Sequence, residues 1–325
     1  MIFNSPERVA ALTPLWEGPR LEDGRPAVDD DILERMKAAT NDEVWAVCEK
    51  RHDYHFSFTN SFINMHPDVI LTGRVVTAQF VPRRPDLEGV VMKDGEGRNG
   101  GQNTWIIDQL QPGDVLVVDL FSKIEDGTFI GDNLATAVRR RTGKGIVIQG
   151  GVRDYQRIDE LEDFAVFYQG QHPSAILEVT LVGVNIPVLI GGATVMPGDE
   201  AVLGTPEGLS FIPPHLAAEV ANFAEETAQR DVFESGRSMS AGTSRAKSTS
   251  TSGPITSKPT TRPGAEKATN TSPRTAVDTS REWKTARPFL AGRFFICLAV
   301  DVCEHLFYSE VWHGRRIPRS NARAR

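Results

Sequence analysis

The N-terminal part of the chain has the hydrophobic and polar positions expected of helices followed by strands. Asp29–Asp31 lie at the start of a predicted helix over 32–39, and a second helix is predicted over 41–47. Two β-branched runs, 69–82 and 113–120, predict strands, the second of them buried. Helices and strands both occur early, which indicates a mixed α/β protein.

Between these two strands the chain is polar and rich in glycine before it becomes apolar again. We expect residues 83–101 to form a loop and residues 103–110 to form a helix. The run GEGRNGG within the loop lacks the Gly-Lys-Ser/Thr ending of a phosphate-binding loop. We therefore interpret the loop as a cover for a binding site, not as a nucleotide site.

The segment Gly131–Asp154 predicts one αβ unit. A helix over 134–141 is followed by a turn, a β-branched strand over 146–148 and two glycines. A helix of two turns followed by a strand returns the chain to its starting level. Asp132, at the helix start, and Arg153-Asp154, after the strand, are therefore predicted to meet in one cleft.

The second half of the folded region predicts a run of short strands between turns. They are expected at 165–170, 176–184, 186–192, 201–204 and 209–213. A helix with one apolar face is then predicted from Pro214 to Arg230. Early βα alternation followed by consecutive strands favours a layered α/β/β sandwich over a doubly wound sheet.

The net charge of −7 is unevenly distributed, because acidic residues predominate up to residue 230 and basic residues beyond it. An acidic folded region argues against nucleic-acid binding. Cys48, Cys297 and Cys303 imply no disulfide framework, so a reduced, cytoplasmic setting is expected. The N-terminus has no secretory signal, and no apolar run is long enough to span a bilayer.

Composition predicts three regions. Residues 1–40 are expected to form an N-terminal extension, irregular over 1–30, and residues 41–234 the α/β/β domain. Residues 235–325 form a low-complexity tail, rich in Ser, Thr and Pro, that we expect to be disordered. Its apolar run at 289–300 is too short to cross a membrane.

The start of the predicted helix in the αβ unit is suited to an anionic group. Gly131 lets the backbone approach closely, and Asp132 can cap the helix. The N–H groups of Asn133, Leu134 and Ala135 are predicted to point out of the helix and to seat a carboxylate or a phosphate.

Arg153 and Asp154 add complementary chemistry. Arg153 offers a planar fork that polarises a carbonyl oxygen, and Asp154 is a hard oxygen ligand for a cation such as Mg²⁺. With the anion seat, they favour a 2-oxo acid held as its enolate. An Arg-Asp pair after a strand also occurs as a plain surface salt bridge, and Asp132 as an ordinary cap. The residue types by themselves leave that structural role open.

Several motifs together resemble the RraA-like family. They are Asp132 followed after twenty residues by Arg153-Asp154, GDVLVVD (113–119) and GGVRD (150–154). The resemblance covers roughly residues 40–230 and includes GRVVTAQF (73–80), FYQGQHPSA (167–175), VNIPVLIGGATVMPGD (184–199) and EGLSFIPP (207–214). That family has a swivelling β/β/α fold. It contains class II 4-hydroxy-4-methyl-2-oxoglutarate aldolases, oxaloacetate decarboxylases and non-catalytic regulators of ribonuclease E.

The resemblance implies a metal-dependent lyase that releases pyruvate from a 4-substituted 2-oxo acid. It implies that Gly131 and the backbone amides of Asn133 and Leu134 bind the pyruvyl carboxylate and that Arg153 contacts the carbonyl. It also implies that Asp154 holds Mg²⁺ or Mn²⁺, partly through water.

Further implications concern catalysis and assembly. Asp132 and Arg153 are the expected catalytic residues. A homotrimer or homohexamer is expected, in which Glu225 or Glu226 from the C-terminal helix of a neighbouring subunit approaches the site. The expected partner is a small 2-oxo acid, with no nucleic acid and no membrane.

Other assignments are weaker. A non-catalytic regulator shares the fold and stays open as the alternative function. A methyltransferase is disfavoured, because no Gly-rich nucleotide turn is followed by an acidic ribose partner. His52 and His55 have no third metal ligand at useful spacing, and Cys297, Cys303 and His305 fit no common zinc pattern.

Overall fold

Short helices alternate with strands in the part of the chain that the computed structural model describes, residues 2–198 and 200–242. The strands are β1 (Phe58–Thr59), β2 (Ile63–Asn64), β3 (Leu71–Pro82), β4 (Asp114–Ile130), β5 (Gly145–Val152), β6 (Ala165–Gln171), β7 (Val179–Val184), β8 (Val188–Ile190), β9 (Ala193–Val195), β10 (Glu200–Thr205) and β11 (Gly208–Phe211). The helices are α1 (Pro6–Ala11), α2 (Asp30–Met36), α3 (Asn41–Trp45), α4 (Pro85–Asp94), α5 (Gln102–Ile107), α6 (Asp132–Thr142), α7 (Tyr155–Asp159) and α8 (Ala217–Gly242). A π-helical turn, Ala46–Arg51, continues α3, and a 3₁₀ turn, Pro214–Leu216, leads into α8.

Four parallel strands form the centre of the main sheet. Its order in the described residues is β1-β11-β10-β3-β4-β5-β6-β2, with β7 also paired to β3. The strands β3 to β6 pair in parallel, and the outer pairings are antiparallel. A separate antiparallel hairpin consists of β8 and β9. The sheet is therefore mixed, with its parallel part in the middle.

Both faces of the central strands are buried, which explains their nearly continuous apolar sequences. Leu116 faces the helical layer and belongs to one core cluster with Val138 of α6. Val117 faces the other way and clusters with Ile190 of the β8–β9 hairpin. Helices, central sheet and hairpin thus form three layers. The predicted layered α/β/β architecture is confirmed.

A third apolar cluster joins helices from opposite ends of the described chain. Leu33 of α2, Val44 of α3 and Val220 of α8 pack with Leu203 of β10. The predicted helices over 32–39, 41–47 and 214–230 correspond to these elements, so their apolar positions mark a real packing surface.

The N-terminal segment is part of the folded unit and not a loose extension. Its α1 begins at a Ser5 cap, whereas residues 1–30 were predicted to be irregular. Arg25 is fully buried and forms two hydrogen bonds with Asp114, Nη1 to Oδ1 at 2.8 Å and Nη2 to Oδ2 at 3.1 Å. It also binds Asp23 at 2.6 Å and the carbonyl oxygen of Val75. Because a buried charge needs such partners, this segment is tied to the starts of β3 and β4.

The loop predicted over 83–101 is wrong, since α4 occupies Pro85–Asp94. Proline is favoured in the first helical turn, and acidic residues there complement the helix dipole. Leu87, Val90 and Val91 have helical spacing, but only Val91 is buried, and this short apolar stretch beside the Gly-rich run that follows was not enough to reveal the helix.

Two further boundaries differ from the prediction. β4 continues past 120 to Ile130, interrupted by left-handed residues Phe121, Ser122 and Asp126 that break its register. α8 continues to Gly242, beyond the predicted domain end at 234, because extending an existing helix costs less than nucleating one.

No helix among residues 2–198 and 200–242 is long and apolar enough to cross a membrane. The remainder of the predicted tail, with Cys297, Cys303 and His305, lies outside the described residues.

Candidate active site

The elements β4, α6 and β5 bring both ends of the predicted αβ unit to one edge of the sheet. Strands β4 and β5 pair in parallel, and α6 lies between them in sequence. Parallel neighbours have their carboxyl ends at the same edge. The N–H of Arg153 accordingly donates to the carbonyl oxygen of Ile130 at 3.0 Å. The predicted meeting of the helix start with the Arg-Asp pair is confirmed.

Gly131 is the contact point between the two ends. A Cβ atom at this position would overlap Oδ2 of Asp154 and lie 2.9 Å from Nε of Arg153. Its backbone torsions, φ −113° and ψ −169°, are extended and open to any residue. Glycine therefore allows the close approach of these two side chains, and its backbone conformation places no further demand on the residue type.

Arg153 and Asp154 lie side by side and remain accessible. Nε of Arg153 is 3.6 Å from Oδ2 of Asp154, and the two side chains are 37% and 42% exposed. Asp154 has φ +55°, an uncommon left-handed conformation for a residue other than glycine. Its carbonyl oxygen accepts from the N–H groups of Arg157 and Ile158, which starts α7. The turn into α7 thus fixes where the Asp154 side chain projects.

Asp132 is held by a residue that the sequence analysis missed. Its Oδ2 accepts from Nη1 of Arg157 at 2.9 Å, and its Oδ1 accepts from the N–H of Asn133 at 2.8 Å. The hydrogen bond from Arg157 is the main reason that the pKa of Asp132 lies below its usual range, although partial burial opposes the shift. Asp132 is therefore a fixed carboxylate at the edge of the site.

The predicted cap at Asp132 is wrong. Gly131 is the N-cap, and Asp132 is the first residue of α6. The predicted anion seat also has fewer free N–H groups than expected. The N–H of Ala135 donates to the carbonyl oxygen of Gly131, and the N–H of Asn133 donates to the side chain of Asp132. Among the described residues, none accepts from the N–H of Leu134. This N–H group at the positive end of the helix dipole remains for an anion.

The donor set limits which metal the site fits. In residues 2–198 and 200–242, no three His, Cys, Asp or Glu side chains are placed to hold one metal ion. Asp154 offers one accessible carboxylate. Mg²⁺ keeps several waters and often uses one or two protein carboxylates, whereas zinc needs three or four protein ligands. The residues present fit Mg²⁺ or Mn²⁺ held through Asp154, water and substrate.

A second polar group supports the strand ends. Asp119, which ends the GDVLVVD motif, is 8% exposed and accepts from the N–H of Phe121 and from the side-chain amides of Gln79 and Gln149. Gln149 in turn accepts from the N–H of Gly191. These bonds join β3, β4 and β5 to the loop between β8 and β9. The nearly continuous apolar sequences of the strands carried no signal for this hydrogen-bond network.

The histidines considered as metal ligands are bound to carboxylates. Nε2 of His52 is 2.7 Å from Glu219, and Nε2 of His55 is 2.7 Å from Asp53. Glu225, expected near a neighbouring subunit's site, makes hydrogen bonds of 2.7 and 2.9 Å with Arg35 in its own chain.

Comparisons with known proteins identify the family. Residues 44–204 match the family model RraA-like, described as Aldolase/RraA. A curated protein of Halalkalibacterium halodurans, provisionally named a 4-hydroxy-4-methyl-2-oxoglutarate aldolase, is 28% identical over 106 residues. This match covers 32% of the present chain and about half, 49%, of the relative.

Solved structures share the fold. A Streptomyces coelicolor protein, described as an unusual member of the RNase ES inhibitor RraA family, aligns at 25% identity and a TM-score of 0.54. The alignment covers 65% of the present chain and all of the other. An uncharacterized protein from Pseudomonas syringae pv. tomato aligns at 20% identity and a TM-score of 0.54, over 69% and 94% of the two chains. The resemblance found in the sequence motifs is confirmed.

Proposed function

Since this chain carries a domain of the RraA-like family over residues 44–204, we propose that it is a divalent-metal-dependent lyase. Its substrate is a 4-substituted 2-oxo acid, which it cleaves or decarboxylates to give pyruvate. The observation that supports this proposal is the packing of Arg153 and Asp154 against Gly131, beside the start of α6. Asp154 offers a cation ligand, Arg153 an accessible guanidinium and α6 a helix N-terminus, all next to Gly131.

The protein groups have distinct tasks in this reaction. The free N–H of Leu134 binds the substrate carboxylate at the positive end of α6. In aldol cleavage the C4 hydroxyl gives its proton to water and the C4 fragment leaves as a carbonyl compound, and in decarboxylation the C4 carboxylate leaves as CO₂. In both reactions the electron pair of the broken C3–C4 bond stays on C3 and is delocalised to the 2-oxygen as an enolate. The guanidinium of Arg153 donates to that oxygen and stabilises its charge. Protonation of C3 by water then completes pyruvate.

A divalent cation at Asp154 would supply Lewis-acid stabilisation of the same enolate oxygen. Asp132 does not contact the enolate or the cation in this proposal, because both of its carboxylate oxygens accept hydrogen bonds from Asn133 and Arg157. We propose that Asp132 holds the start of α6 in place and that its negative charge helps to position Arg153.

The test is pyruvate release from 4-hydroxy-4-methyl-2-oxoglutarate and from oxaloacetate, with Mg²⁺ or Mn²⁺ and with chelator. Asp154→Ala should abolish the metal-dependent rate, since the hard ligand is lost. Asp86→Ala removes an exposed carboxylate on α4 and is the matched control, with the rate expected to be unchanged. Full metal-dependent activity in Asp154→Ala would disprove the assigned metal site.

The second candidate function is a binding regulator without catalysis. The alignment that covers the whole Streptomyces coelicolor protein of the RNase inhibitor family favours it. Folded, metal-loaded protein that turns over neither substrate would decide for this alternative.

We also propose assembly as a homotrimer or homohexamer. Large apolar side chains are exposed beside the edge strand β2 and the β8–β9 hairpin, namely Phe56 (70%), Ile63 (50%) and Leu189 (57%). Edge strands and apolar patches of this kind are commonly covered by a neighbouring subunit. Light scattering should report three or six chains at micromolar concentration, and a monomer would contradict the proposal.

A further inference from the structure

A third strand end lies beside the candidate active site, that of β6, and His172 follows it directly. The N–H of His172 donates to the carbonyl oxygen of Val152 at 3.1 Å, which continues the parallel pairing of β5 with β6. On the other side, the N–H of Arg153 donates to Ile130 at the end of β4. His172 is therefore the residue level with Arg153 on the neighbouring strand, with their backbones roughly 5 Å apart.

The imidazole of His172 is held by the turn that follows it. Its Nδ1 lies 2.8 Å from Oγ of Ser174, and the N–H of Ser174 lies within hydrogen-bond distance of the same nitrogen, at 3.3 Å. A backbone N–H can only donate, so Nδ1 is the unprotonated nitrogen. The neutral ring therefore carries its proton on Nε2, which makes Nε2 a hydrogen-bond donor.

Ser174 is itself fixed by the segment of β4 that precedes the site. Its Oγ accepts from the N–H of Asp126 at 2.7 Å, and its carbonyl oxygen accepts from the hydroxyl of Thr128. Asp126 has a left-handed backbone, φ +53°, which is uncommon for a residue other than glycine. The orientation of the His172 ring is thus set by three segments that meet at this edge of the sheet.

The other ring nitrogen of His172, Nε2, is unpaired in the described part of the chain. Among residues 2–198 and 200–242, none forms a hydrogen bond or an ion pair with it, and it is not one of the buried polar atoms that lack a partner. The side chain is partly exposed. Its Nε2–H group is therefore an accessible donor beside Arg153.

Three polar groups follow one another along this edge in strand order. The free N–H of Leu134 lies after β4, Arg153 after β5 and His172 after β6. Two strand spacings place the backbone of His172 roughly 10 Å from the start of α6. A chain of four or five carbons with a hydrogen bond at each end spans about the same length. A 2-oxo acid with its first carboxylate at α6 and its 2-oxygen at Arg153 therefore extends towards His172.

We propose that Nε2 of His172 binds a second carboxylate at the far end of the substrate, so that the site selects dicarboxylic 2-oxo acids. This inference rests on the proposed function for the positions of the first carboxylate and the 2-oxygen. A carboxylate suits an unpaired N–H donor, because hydrogen bonds to a charged acceptor are roughly twice as strong as neutral ones. His172 is then a specificity-determining residue that takes no part in breaking the C3–C4 bond.

Calorimetry with two five-carbon acids in the presence of Mg²⁺ tests this role. 2-Oxoglutarate carries the second carboxylate and 2-oxopentanoate lacks it, and neither has the C4 hydroxyl or C4 carboxylate that cleavage needs. The wild-type protein should bind 2-oxoglutarate at least about ten-fold more tightly, the scale of one hydrogen bond to a charged group. His172→Ala should remove this preference and leave the affinity for 2-oxopentanoate within about two-fold.

Two further variants separate the donor from the packing of the ring. His172→Gln keeps a side-chain N–H donor and should retain most of the preference for 2-oxoglutarate. His55→Ala removes another exposed histidine, whose Nε2 is 2.7 Å from Asp53, and should retain all of it. Unchanged binding of 2-oxopentanoate shows for each variant that the rest of the site is intact.

The outcomes distinguish this inference from the proposed function. A preference for 2-oxoglutarate that survives in His172→Ala overturns the inference, and so does a wild-type protein that shows no preference or binds neither acid. Pyruvate release is measured separately. Selective binding that depends on His172, without turnover, would support the inference and refute the lyase, whereas turnover with unselective binding would do the reverse.

Discussion

Replacing Gly131 by alanine adds one methyl group at the point where the two ends of the site touch. The new Cβ would overlap Oδ2 of Asp154 and lie 2.9 Å from Nε and 3.2 Å from Cγ of Arg153. Carbon and oxygen atoms need more than 3 Å, so the Asp154 carboxylate must move by about 1 Å. Both accessible side chains have room to move outwards, which shifts them relative to the substrate.

The effect should fall on turnover far more than on stability. A misplacement of about 1 Å in a catalytic group costs on the order of 10²-fold in rate, or about 2.7 kcal/mol in the barrier. Gly131 has extended torsions that alanine adopts without strain. Alanine is a poorer N-cap than glycine, so α6 should lose only about 1 kcal/mol.

The assay couples pyruvate formation to NADH oxidation by lactate dehydrogenase, with thermal unfolding measured on the same samples. Gly89→Ala is the matched control, because a Cβ at that position of α4 would have no atom within 4 Å apart from its chain neighbours and the helix's own backbone. It should keep full activity and gain about 0.5–1 kcal/mol of stability, since alanine is the better helix former.

An active Gly131→Ala would refute the argument. If it retains more than about a third of the wild-type rate, contact with Gly131 does not set the positions of Arg153 and Asp154. Loss of activity together with unfolding would instead show that the glycine serves the fold.

Three further predictions concern single charged residues. Arg153→Lys keeps the charge but loses the planar fork, so kcat should fall on the order of 10²-fold, and a loss of only about two-fold would reduce Arg153 to a counter-ion. The depressed pKa of Asp132 means that its pair with Arg157 stabilises the fold above the ordinary aspartate pKa of about 3.9 and that this contribution disappears as the pH falls through the depressed value. Arg157→Gln should therefore lower stability at pH 7 and weaken its decline below about pH 4, as urea unfolding across pH would measure; an unchanged profile would contradict this. Arg25→Leu leaves Asp114 as an unpaired buried charge and should lower the free energy of unfolding in urea by about 3–5 kcal/mol. Adding Asp114→Asn should restore part of that loss. Unchanged stability of Arg25→Leu would mean that the pair is dispensable.

The elements that could be predicted from the sequence are those with buried apolar residues at regular spacing. The central strands are apolar on both faces and were recognised, and α6 showed a short amphipathic stretch. α4 was missed because only Val91 of its residues is buried. The burial of Arg25 leaves no local signal, since its partner Asp114 is 89 residues away. Such long-range pairing is fixed by the assembled sheet and not by the local pattern.

The sequence was sufficient to predict which chain segments meet at the candidate site, but not the contacts of their side chains. Parallel strands with a helix between them dictate that Gly131 and Arg153 meet. The cap was misplaced by one residue, because Gly131 and not Asp132 is the N-cap of α6. Arg157 was missed because α7 has only five residues and its partner Asp132 lies 25 positions earlier. A helix so short has no periodicity from which to predict a face.

Under the proposed function, the side chain of Asp154 serves metal binding and not the stability of the fold. A left-handed conformation costs a residue other than glycine about 1 kcal/mol, and the Asp154 side chain makes no helix-capping hydrogen bond in return. Its contact with Arg153 is a 3.6 Å ion pair between accessible groups, which adds little stability. Loss of this side chain in Asp154→Ala should therefore leave the free energy of unfolding within about 1 kcal/mol of wild type, while metal-dependent turnover disappears. A residue kept for the fold would give the opposite order, a large loss of stability with proportional loss of activity at all metal concentrations.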